Sequence, residues 1–165
     1  MKVAIFFGSK SDTDTMKKAA NVLKEFGVEY SAYILSAHRS AELLKQTVAK
    51  VESAGCEVII AGAGLAAHLP GVIASMTILP VVGVPLECVS ACSNGLAGMD
   101  ALFSIVQMPK QIPVATVGIN NAANAAYLAL EILAIKYPEL RKKLLEFREK
   151  LILQATENGG TGVEL

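Results

Sequence analysis

The chain alternates short runs of apolar residues with longer stretches in which apolar residues recur at helical spacing. Five short segments predict β-strands, at Lys2–Phe7, Glu29–Leu35, Val58–Ala63, Val81–Val84 and Val114–Val117. The third run contains no polar side chain, which is typical of a parallel strand covered on both faces. Strands of this length that alternate with helices indicate an α/β fold.

The stretches between and after the strands predict six helices. The first ends at Gly27, as helices commonly do at a glycine. Its inward face is formed by Met16, Ala19, Ala20, Leu23 and Phe26. The second begins near Ser40 and closes at Gly55. Its inward positions are Leu43, Leu44, Val48 and Val51.

The remaining four helices run from about Pro70 to a point before Pro80, and over Met99–Val106, Asn121–Ile135 and Pro138–Gln154. The helix Asn121–Ile135 is apolar nearly all round, which predicts burial on several sides and contact with another subunit. The last helix is charged on its outer side. Its apolar residues at helical spacing are Leu140, Leu144, Phe147 and Leu151. We expect a loop over Pro85–Gly98 and a mobile tail over Ala155–Leu165.

This order of elements predicts one catalytic domain over residues 1–155 and a flexible tail over residues 156–165. The predicted fold class is a three-layer α/β/α arrangement around an open parallel sheet of five strands, doubly wound and flavodoxin-like. Sheets of this kind bind ligands beyond the carboxyl ends of their strands, at the point where the strand order reverses.

Composition predicts surplus apolar surface. The chain is 53% hydrophobic and only 18% charged, against about 25% charged in typical globular proteins. Residues 58–86 contain no charged side chain and are long enough to cross a bilayer, but repeated glycine and proline interrupt them. We therefore expect a buried βαβ core and a homo-oligomer, and no membrane contact.

The charge balance argues against nucleic acid as a partner, and the cysteine spacing argues against a metal site. Basic and acidic residues number 15 each, so no positive field indicates nucleic acid. The three cysteines lack metal-ligand spacing and are expected to be buried free thiols, at Cys56, Cys88 and Cys92. The N-terminus shows no basic and apolar targeting segment, from which we expect a cytoplasmic protein.

Candidate chemistry lies in three motifs, each of which follows a predicted strand. The first motif is Gly8–Asp12, the second is Ser36–Arg39, and the third is Gly62–Gly71. Because the carboxyl ends of parallel strands meet at one edge of a sheet, we predict that the three motifs form one site. The chain has two histidines, and both lie in these motifs, at His38 and His68. Histidine titrates near neutral pH, so both are candidates for proton transfer.

Each motif also has a purely structural explanation. Ser9 and Asp12 are of the residue types that cap helices, although a helix N-terminus also binds anions and a carboxylate can accept hydrogen bonds from ribose hydroxyls. Arg39 offers a planar fork for phosphate or a surface ion pair. The small residues of the third motif admit a flat ligand or close helix–strand packing. Three asparagines are expected to cap helices or bond across a subunit interface: Asn120, Asn121 and Asn124.

In this order, the segments GSKSD, SAHR, AGAGLAAHLPG, GVP, SIVQMP, IPVATV and NAAYLA resemble the bacterial N5-carboxyaminoimidazole ribonucleotide mutase family of de novo purine biosynthesis. The likeness runs in register from about Val3 to Ala134. It implies an isomerase that moves a carboxylate from an exocyclic nitrogen to ring carbon C4 of one ribonucleotide, on the route to IMP. It also implies a homo-octamer without metal or organic cofactor. For the reaction itself, we hypothesise that CO2 is lost first and is held as a bound intermediate.

The resemblance assigns roles by position. It implies that His38 is the general acid and base. It implies that the phosphate and ribose are held by Ser9, Ser11 and Asp12, with further phosphate contacts from Ser36 and Arg39. The pocket for the migrating carboxylate is implied to be lined by Gly64, His68 and Leu69.

The chain departs from the family pattern at a few positions. Leu65 stands where the family usually has glycine, the segment Leu86–Ala97 is longer than usual, and Ala101 replaces a common serine. Arg39 and the Ala66-Ala67-His68 form favour the mutase over the animal-type relatives that carboxylate aminoimidazole ribonucleotide directly.

Two functions outside this family also fit the residues. One is a sugar-phosphate isomerase that uses both histidines. The second is a flavodoxin-like nucleotide- or flavin-binding module without catalysis. An aromatic content of 5% without tryptophan leaves few rings to hold a flavin.

Overall fold

The computed structural model describes residues 1–88 and 96–159. Its strands are β1 (Lys2–Phe7), β2 (Glu29–Ile34), β3 (Val58–Gly64), β4 (Val81–Leu86) and β5 (Ala115–Thr116). They form one parallel sheet in the order β2-β1-β3-β4-β5. This order confirms the predicted open, doubly wound sheet of five strands. The chain runs from β1 outward to β2 and returns to β3, so the order reverses between β1 and β3.

Six α-helices occupy the described part of the chain. They are α1 (Thr13–Glu25), α2 (Ala41–Ser53), α3 (His68–Ala74), α4 (Met99–Val106), α5 (Ala122–Ala134) and α6 (Pro138–Gly159). A 3-10 turn over Lys10–Asp12 precedes α1. One apolar cluster joins one sheet face to α1, α5 and α6, and a second joins the other face to α2, α3 and α4. The predicted three-layer arrangement is therefore confirmed.

Strand β1 shows why the central strands are apolar throughout. Val3 and Ile5 belong to the cluster on the α1 side, whereas Ala4 and Phe6 belong to the opposite cluster. Neighbouring side chains of a strand point to opposite faces, and both faces of this sheet are covered by helices. All four side chains are at most 1% exposed.

Two glycines in the sheet allow helices to pack closely on it. A Cβ atom on Gly62 would lie 2.5 Å from Sδ of Met16 in α1. One on Gly83 would lie 2.5 Å from Cγ2 of Ile105 in α4. For Gly62, the explanation of the third motif by close helix–strand packing therefore holds.

Two predicted inward positions are wrong. Leu43 is 53% exposed and Leu151 is 47% exposed. In α2 the buried stripe is centred on Leu44, and the spacing of three and four residues then selects Thr47 rather than Leu43. Burial of Thr47 leaves no unpaired hydroxyl, because its Oγ1 donates to the carbonyl oxygen of Leu43 at 2.7 Å.

Helix α5 is buried within its own chain. Its apolar side chains belong to the cluster formed with α1, α6 and the sheet. The predicted burial on several sides is confirmed within this chain, and the predicted contact with another subunit stays a prediction. Among the described residues the most exposed large apolar side chains are Ile78, between α3 and β4, and Ile135, directly after α5, at 98% and 84%.

Several element boundaries differ from the predicted ones. Helix α3 begins at His68 rather than near Pro70. Strand β4 continues through Pro85 to Leu86, so the predicted loop begins later. Residues 89–95 lie outside the described residues, and with them Cys92. Helix α6 continues past the predicted end to Gly159, whereas the rest of the predicted flexible tail, residues 160–165, lies outside the described residues.

The predicted burial of the cysteines is confirmed at one of the two described positions. Cys56 is 7% exposed and its thiol donates to the carbonyl oxygen of Val58 at 3.2 Å, which confirms it as a buried thiol. Burial raises the pKa of that thiol. Cys88 is only half-buried, so the predicted burial is wrong there.

The helices also bear on the predicted absence of a membrane span. None of the described helices combines the length and the apolar content that crossing a bilayer needs. The uncharged residues 58–86 instead form β3, α3 and β4, in agreement with the predicted βαβ core.

Candidate active site

The three motifs meet in one cleft at the carboxyl ends of β1, β2 and β3. The cleft has a volume of about 710 Å³. It is lined by residues of the first, second and third motifs, and the predicted convergence is confirmed. The structure places every predicted site residue in its lining: Ser9, Ser11, Asp12, Ser36, His38, Arg39, Gly64, His68 and Leu69.

The two histidines contact each other directly. Nε2 of His38 lies 2.7 Å from Nδ1 of His68, and the two rings stand nearly perpendicular, at 86°. Both side chains are exposed to the cleft. In such a contact one nitrogen donates and the other accepts, so the two rings share one proton along this line. The pair can therefore hold and release a proton in front of a ligand.

The second motif is organised around the hydroxyl of Ser36. Its Oγ accepts hydrogen bonds from the backbone N–H groups of His38 at 3.4 Å and Arg39 at 3.3 Å. Ser40 closes the same turn, because its hydroxyl donates to the carbonyl oxygen of Ser36 at 2.9 Å. A serine hydroxyl that accepts in this way still carries a proton that it can donate to a phosphate oxygen.

Arg39 links the second motif to the first. Its Nη2 donates to the carbonyl oxygen of Gly8 at 3.3 Å. The partner is a carbonyl group, so this contact is not the surface ion pair of the structural explanation. A guanidinium has five N–H donors, which leaves donors for a bound anion after one such bond.

The first motif forms a capping box. The backbone N–H of Ser9 donates to Oδ2 of Asp12 at 3.1 Å, and the Ser9 hydroxyl accepts from the backbone N–H of Ser11 at 3.3 Å. The structural explanation therefore holds for Ser9 and Asp12, which cap the 3-10 turn. The same residues also face the cleft.

Asp12 is under-solvated in this position. Burial raises the pKa of its carboxyl group, and the opposing hydrogen bonds from Ser11 and Ser9 do not offset it. A carboxylate in this state is stabilised by further donors, such as ligand hydroxyl groups. The capping role and a ligand-binding role are thus compatible.

The third motif brings bare backbone to the cleft. A Cβ atom on Gly64 would lie 3.0 Å from the carbonyl oxygen of Leu86, which is closer than Cβ contacts ordinarily come. Leu65 has a φ of +53°, in the left-handed region that favours glycine, which explains why a glycine usually stands there in the family it resembles. Leu69 is 3% exposed and contributes to the core more than to the cleft.

Three residues near the cleft were missed or misassigned by sequence reasoning. Glu87 and Cys88 line the cleft and directly follow β4. The rule that identified the first three motifs applies to this strand also, and would have found them. Asn121 caps α5 as expected, since its Oδ1 accepts from the backbone N–H of Asn124 at 3.1 Å. Asn120 does not act as a cap: its side chain bonds Glu87.

The site offers little to a metal ion. Across residues 1–88 and 96–159, no three His, Cys, Asp or Glu side chains approach one another closely enough to form a metal site.

The family model of AIR carboxylase matches residues 2–153. The chain belongs to this family. Curated members are similar over nearly its whole length. The chain is 56% identical to N5-carboxyaminoimidazole ribonucleotide mutase of Pyrococcus abyssi, over 91% of this chain and 83% of the relative. It is 51% identical to the mutase of Thermotoga maritima, over 94% and 88%. It is 48% identical to that of Vibrio cholerae, over 96% of each chain.

A solved structure supports the same placement in the AIR carboxylase family. The crystal structure of Treponema denticola PurE superimposes with a TM-score of 0.82 at 29% identity, covering 97% of this chain and 99% of that chain. The predicted resemblance and the α/β fold class are both confirmed. The flavin-binding alternative has no support from these relatives.

Proposed function

We propose that this chain converts N5-carboxyaminoimidazole ribonucleotide to 4-carboxy-5-aminoimidazole ribonucleotide in de novo purine biosynthesis. The observation that carries the proposal is the contact between His38 and His68 inside the cleft, beside Arg39 and the backbone wall at Gly64. The relatives named N5-carboxyaminoimidazole ribonucleotide mutase support the choice of reaction.

The charges of the cleft suggest how the ribonucleotide binds. Arg39 supplies the positive charge and the planar donors that a phosphate needs, and Ser36 adds a hydroxyl donor beside it. The first motif supplies further contacts through Ser9 and Ser11. The Asp12 carboxylate, whose pKa is raised by burial, accepts a further hydrogen bond from a ribose hydroxyl. The base then lies toward His38.

The first half of the proposed reaction releases CO2. His38 in its protonated form donates a proton to the exocyclic nitrogen of the substrate. The bond between that nitrogen and the carboxylate carbon breaks, and its electron pair stays on nitrogen, which becomes the free amine. His38 is left neutral, and His68 keeps its ring in place through the 2.7 Å contact.

In the second half, His38 takes back a proton, this time from ring carbon C4. C4 of the imidazole attacks the CO2 carbon, and C4 then carries both a hydrogen and a carboxylate. Neutral His38 removes that hydrogen as a proton, and the electrons of the C–H bond restore the aromatic ring. His38 ends the cycle protonated, so one base serves both steps and no net proton is consumed.

Retention of CO2 between the two halves depends on the pocket wall. Glycine and alanine predominate in the third motif, so a small molecule can lie against backbone there. Leu65 and Leu69 also line the cleft beside this backbone. A held reactant gains a large effective concentration over one that must return from solution.

We also infer that the protein is a cytoplasmic homo-octamer. One face of α4 exposes Met99, Phe103 and Val106, at 40%, 52% and 52%, with helical spacing that places them together. Exposed apolar patches of this kind are typical of subunit interfaces. Light scattering of the purified protein is expected to give eight times the 17.3 kDa chain mass, and a monomer would contradict the assembly.

The replacement His38→Asn tests the proposed function. Turnover is measured in the reverse direction, with 4-carboxy-5-aminoimidazole ribonucleotide as the substrate, and is followed by ultraviolet absorbance. We expect the unmodified protein to turn over and the variant to lose turnover while it still binds the ribonucleotide with similar affinity. Near-normal turnover by the variant would show that His38 is not the base.

A further inference from the structure

A recess of about 320 Å³ adjoins the cleft on its β4 side. It shares four residues with the cleft: Ser11, Asp12, Glu87 and Cys88. Asn120 lies in the wall of the recess. Two carboxylates, those of Asp12 and Glu87, therefore lie in the wall that the recess and the cleft share.

Glu87 is fixed at this border by Asn120. The backbone N–H of Glu87 donates to Oδ1 of Asn120 at 2.9 Å, and Nδ2 of Asn120 donates to Oε2 of Glu87 at 3.3 Å. Gly98 packs against the same residue, since a Cβ atom there would lie 3.5 Å from Cα of Glu87. The carboxylate of Glu87 is thus oriented although its side chain is exposed.

Asn120 can bond in this way because of its backbone conformation. Its φ is +57°, in the left-handed region that asparagine tolerates better than most residues. In this conformation its backbone N–H donates to the carbonyl oxygen of Pro85 at 2.8 Å, so the turn after β5 is tied to the end of β4. Backbone and side chain of Asn120 together set the position of Glu87.

The chemistry of this border suits hydroxyl donors. A carboxylate only accepts hydrogen bonds and repels phosphate, and Asn120 engages one of the two carboxylate oxygens of Glu87. The phosphate donors lie on the second motif, at Arg39. A ribonucleotide whose phosphate lies at Arg39 has two ribose hydroxyls to place, and the cleft offers two carboxylates.

We propose that Glu87, oriented by Asn120, is a specificity-determining residue that accepts a hydrogen bond from one ribose hydroxyl while Asp12 accepts from the other. This inference rests on the proposed function, because it names the ribose of that substrate as the ligand. Asn120 is a positioning residue that acts through Glu87.

The test pairs variants with substrates that lack one hydroxyl. Glu87→Ala, Glu87→Gln and Asn120→Gly are assayed with 4-carboxy-5-aminoimidazole ribonucleotide and with its 2′-deoxy and 3′-deoxy forms. Glycine at Asn120 keeps the left-handed backbone and removes the amide. Glu149→Gln, an exposed carboxylate on α6, is the matched control.

We expect Glu87→Ala to lower kcat/KM for the ribonucleotide by about tenfold, chiefly through KM, because a hydrogen bond to a charged group is lost. With one of the two deoxy substrates, the same replacement should lower kcat/KM by less than about twofold, because that substrate already lacks the hydroxyl that Glu87 binds. Glu87→Gln should lower kcat/KM for the ribonucleotide less than Glu87→Ala does. Asn120→Gly should lower it as Glu87→Ala does, and its effect should shrink with the same deoxy substrate. Glu149→Gln leaves the kinetics of all three substrates unchanged.

Three outcomes overturn the inference. An unchanged KM in Glu87→Ala shows that Glu87 makes no contact. An equal loss with all three substrates shows that Glu87 only supports the local structure. Asn120→Gly with normal KM removes the positioning role of Asn120. Failure of the proposed function is separate, because the unmodified protein would then turn over none of the three substrates.

Discussion

The contact between the two histidines leads to a prediction that separates their roles. If His68 acts by accepting a hydrogen bond from the Nε2–H group of His38, only its acceptor atom, Nδ1, is needed for this role. Asparagine places its side-chain oxygen two bonds from Cβ, as histidine places Nδ1. His68→Asn therefore keeps an acceptor near Nδ1, whereas His68→Leu removes it.

The size of the effect follows from the geometry of the pair. A hydrogen bond to a charged donor contributes about 1.5–3 kcal/mol, and exposure of both rings to solvent places this one near the lower limit. A loss of about 1.4 kcal/mol from the transition state corresponds to about tenfold in rate. We expect kcat to fall about tenfold in His68→Leu and about threefold or less in His68→Asn.

Steady-state kinetics and thermal unfolding of the three proteins measure this. His68 is exposed at the start of α3, so its replacement changes the free energy of unfolding by no more than about 0.5 kcal/mol. A normal kcat in His68→Leu would refute the reasoning. Equal losses in both variants would show that the imidazole acts on the substrate itself, not through His38.

Three further predictions concern binding and stability. Arg39→Lys should raise KM for the ribonucleotide about tenfold with little change in kcat, because a point charge replaces a two-donor fork; an unchanged KM would exclude the phosphate contact. Leu65→Gly should change the free energy of unfolding by less than about 1 kcal/mol, because relief of the left-handed φ offsets the larger unfolded-state entropy of glycine. Leu65→Val should destabilise the protein by more than about 1 kcal/mol, because a β-branched residue fits the left-handed region poorly. Equal melting temperatures of the two variants would contradict this prediction. Burial alone would raise the pKa of Glu57, but hydrogen bonds from Lys136 and Tyr137 lower that pKa below its usual 4.5. The Glu57 carboxylate therefore stabilises the fold above pH 4.5, and this stabilisation is lost as the pH falls through the lowered pKa. Urea unfolding should therefore show Glu57→Gln to be less stable by about 1 kcal/mol at pH 7 and equal to the unmodified protein in acid; a pH-independent difference would oppose the assignment.

The central elements of the fold were predictable because local signals and tertiary structure agree there. Strand β1 and helix α4 have the same limits in the sequence pattern and in the structure, at Lys2–Phe7 and Met99–Val106. The convergence of the three motifs was predictable for a different reason. It depends only on the parallel alternation of strands and helices, which puts all their carboxyl ends on one side.

The edge of the sheet was less predictable. Strand β5 was expected over Val114–Val117 but has only two residues, Ala115 and Thr116, which pair with Val82 and Gly83 of β4. Such a short strand has no periodicity to read. The contact between Glu87 and Asn120 joins the ends of β4 and β5, so it depends on which strands are neighbours and on a left-handed turn. Neither is visible in local patterns.

The burial of the most apolar helix was predictable from the sequence, whereas the positions of the exposed apolar side chains were not. Helix α5, the most apolar by pattern, is covered by α1 and α6 of its own chain. Exposed apolar side chains lie on α4, on α6 and at single positions such as Ile78. Hydrophobic content shows that a surface must be covered, but the layer that covers it is decided by tertiary packing.

The central claim is that the carboxylate moves within one bound ribonucleotide. Its most direct test uses N5-carboxyaminoimidazole ribonucleotide with an isotopic label in the carboxylate, incubated with the purified protein in unlabelled bicarbonate. Mass spectrometry of the 4-carboxy product should find the label retained, because CO2 is held beside C4 throughout. Unlabelled product, with turnover that rises with bicarbonate, would contradict the account and indicate direct carboxylation from solution.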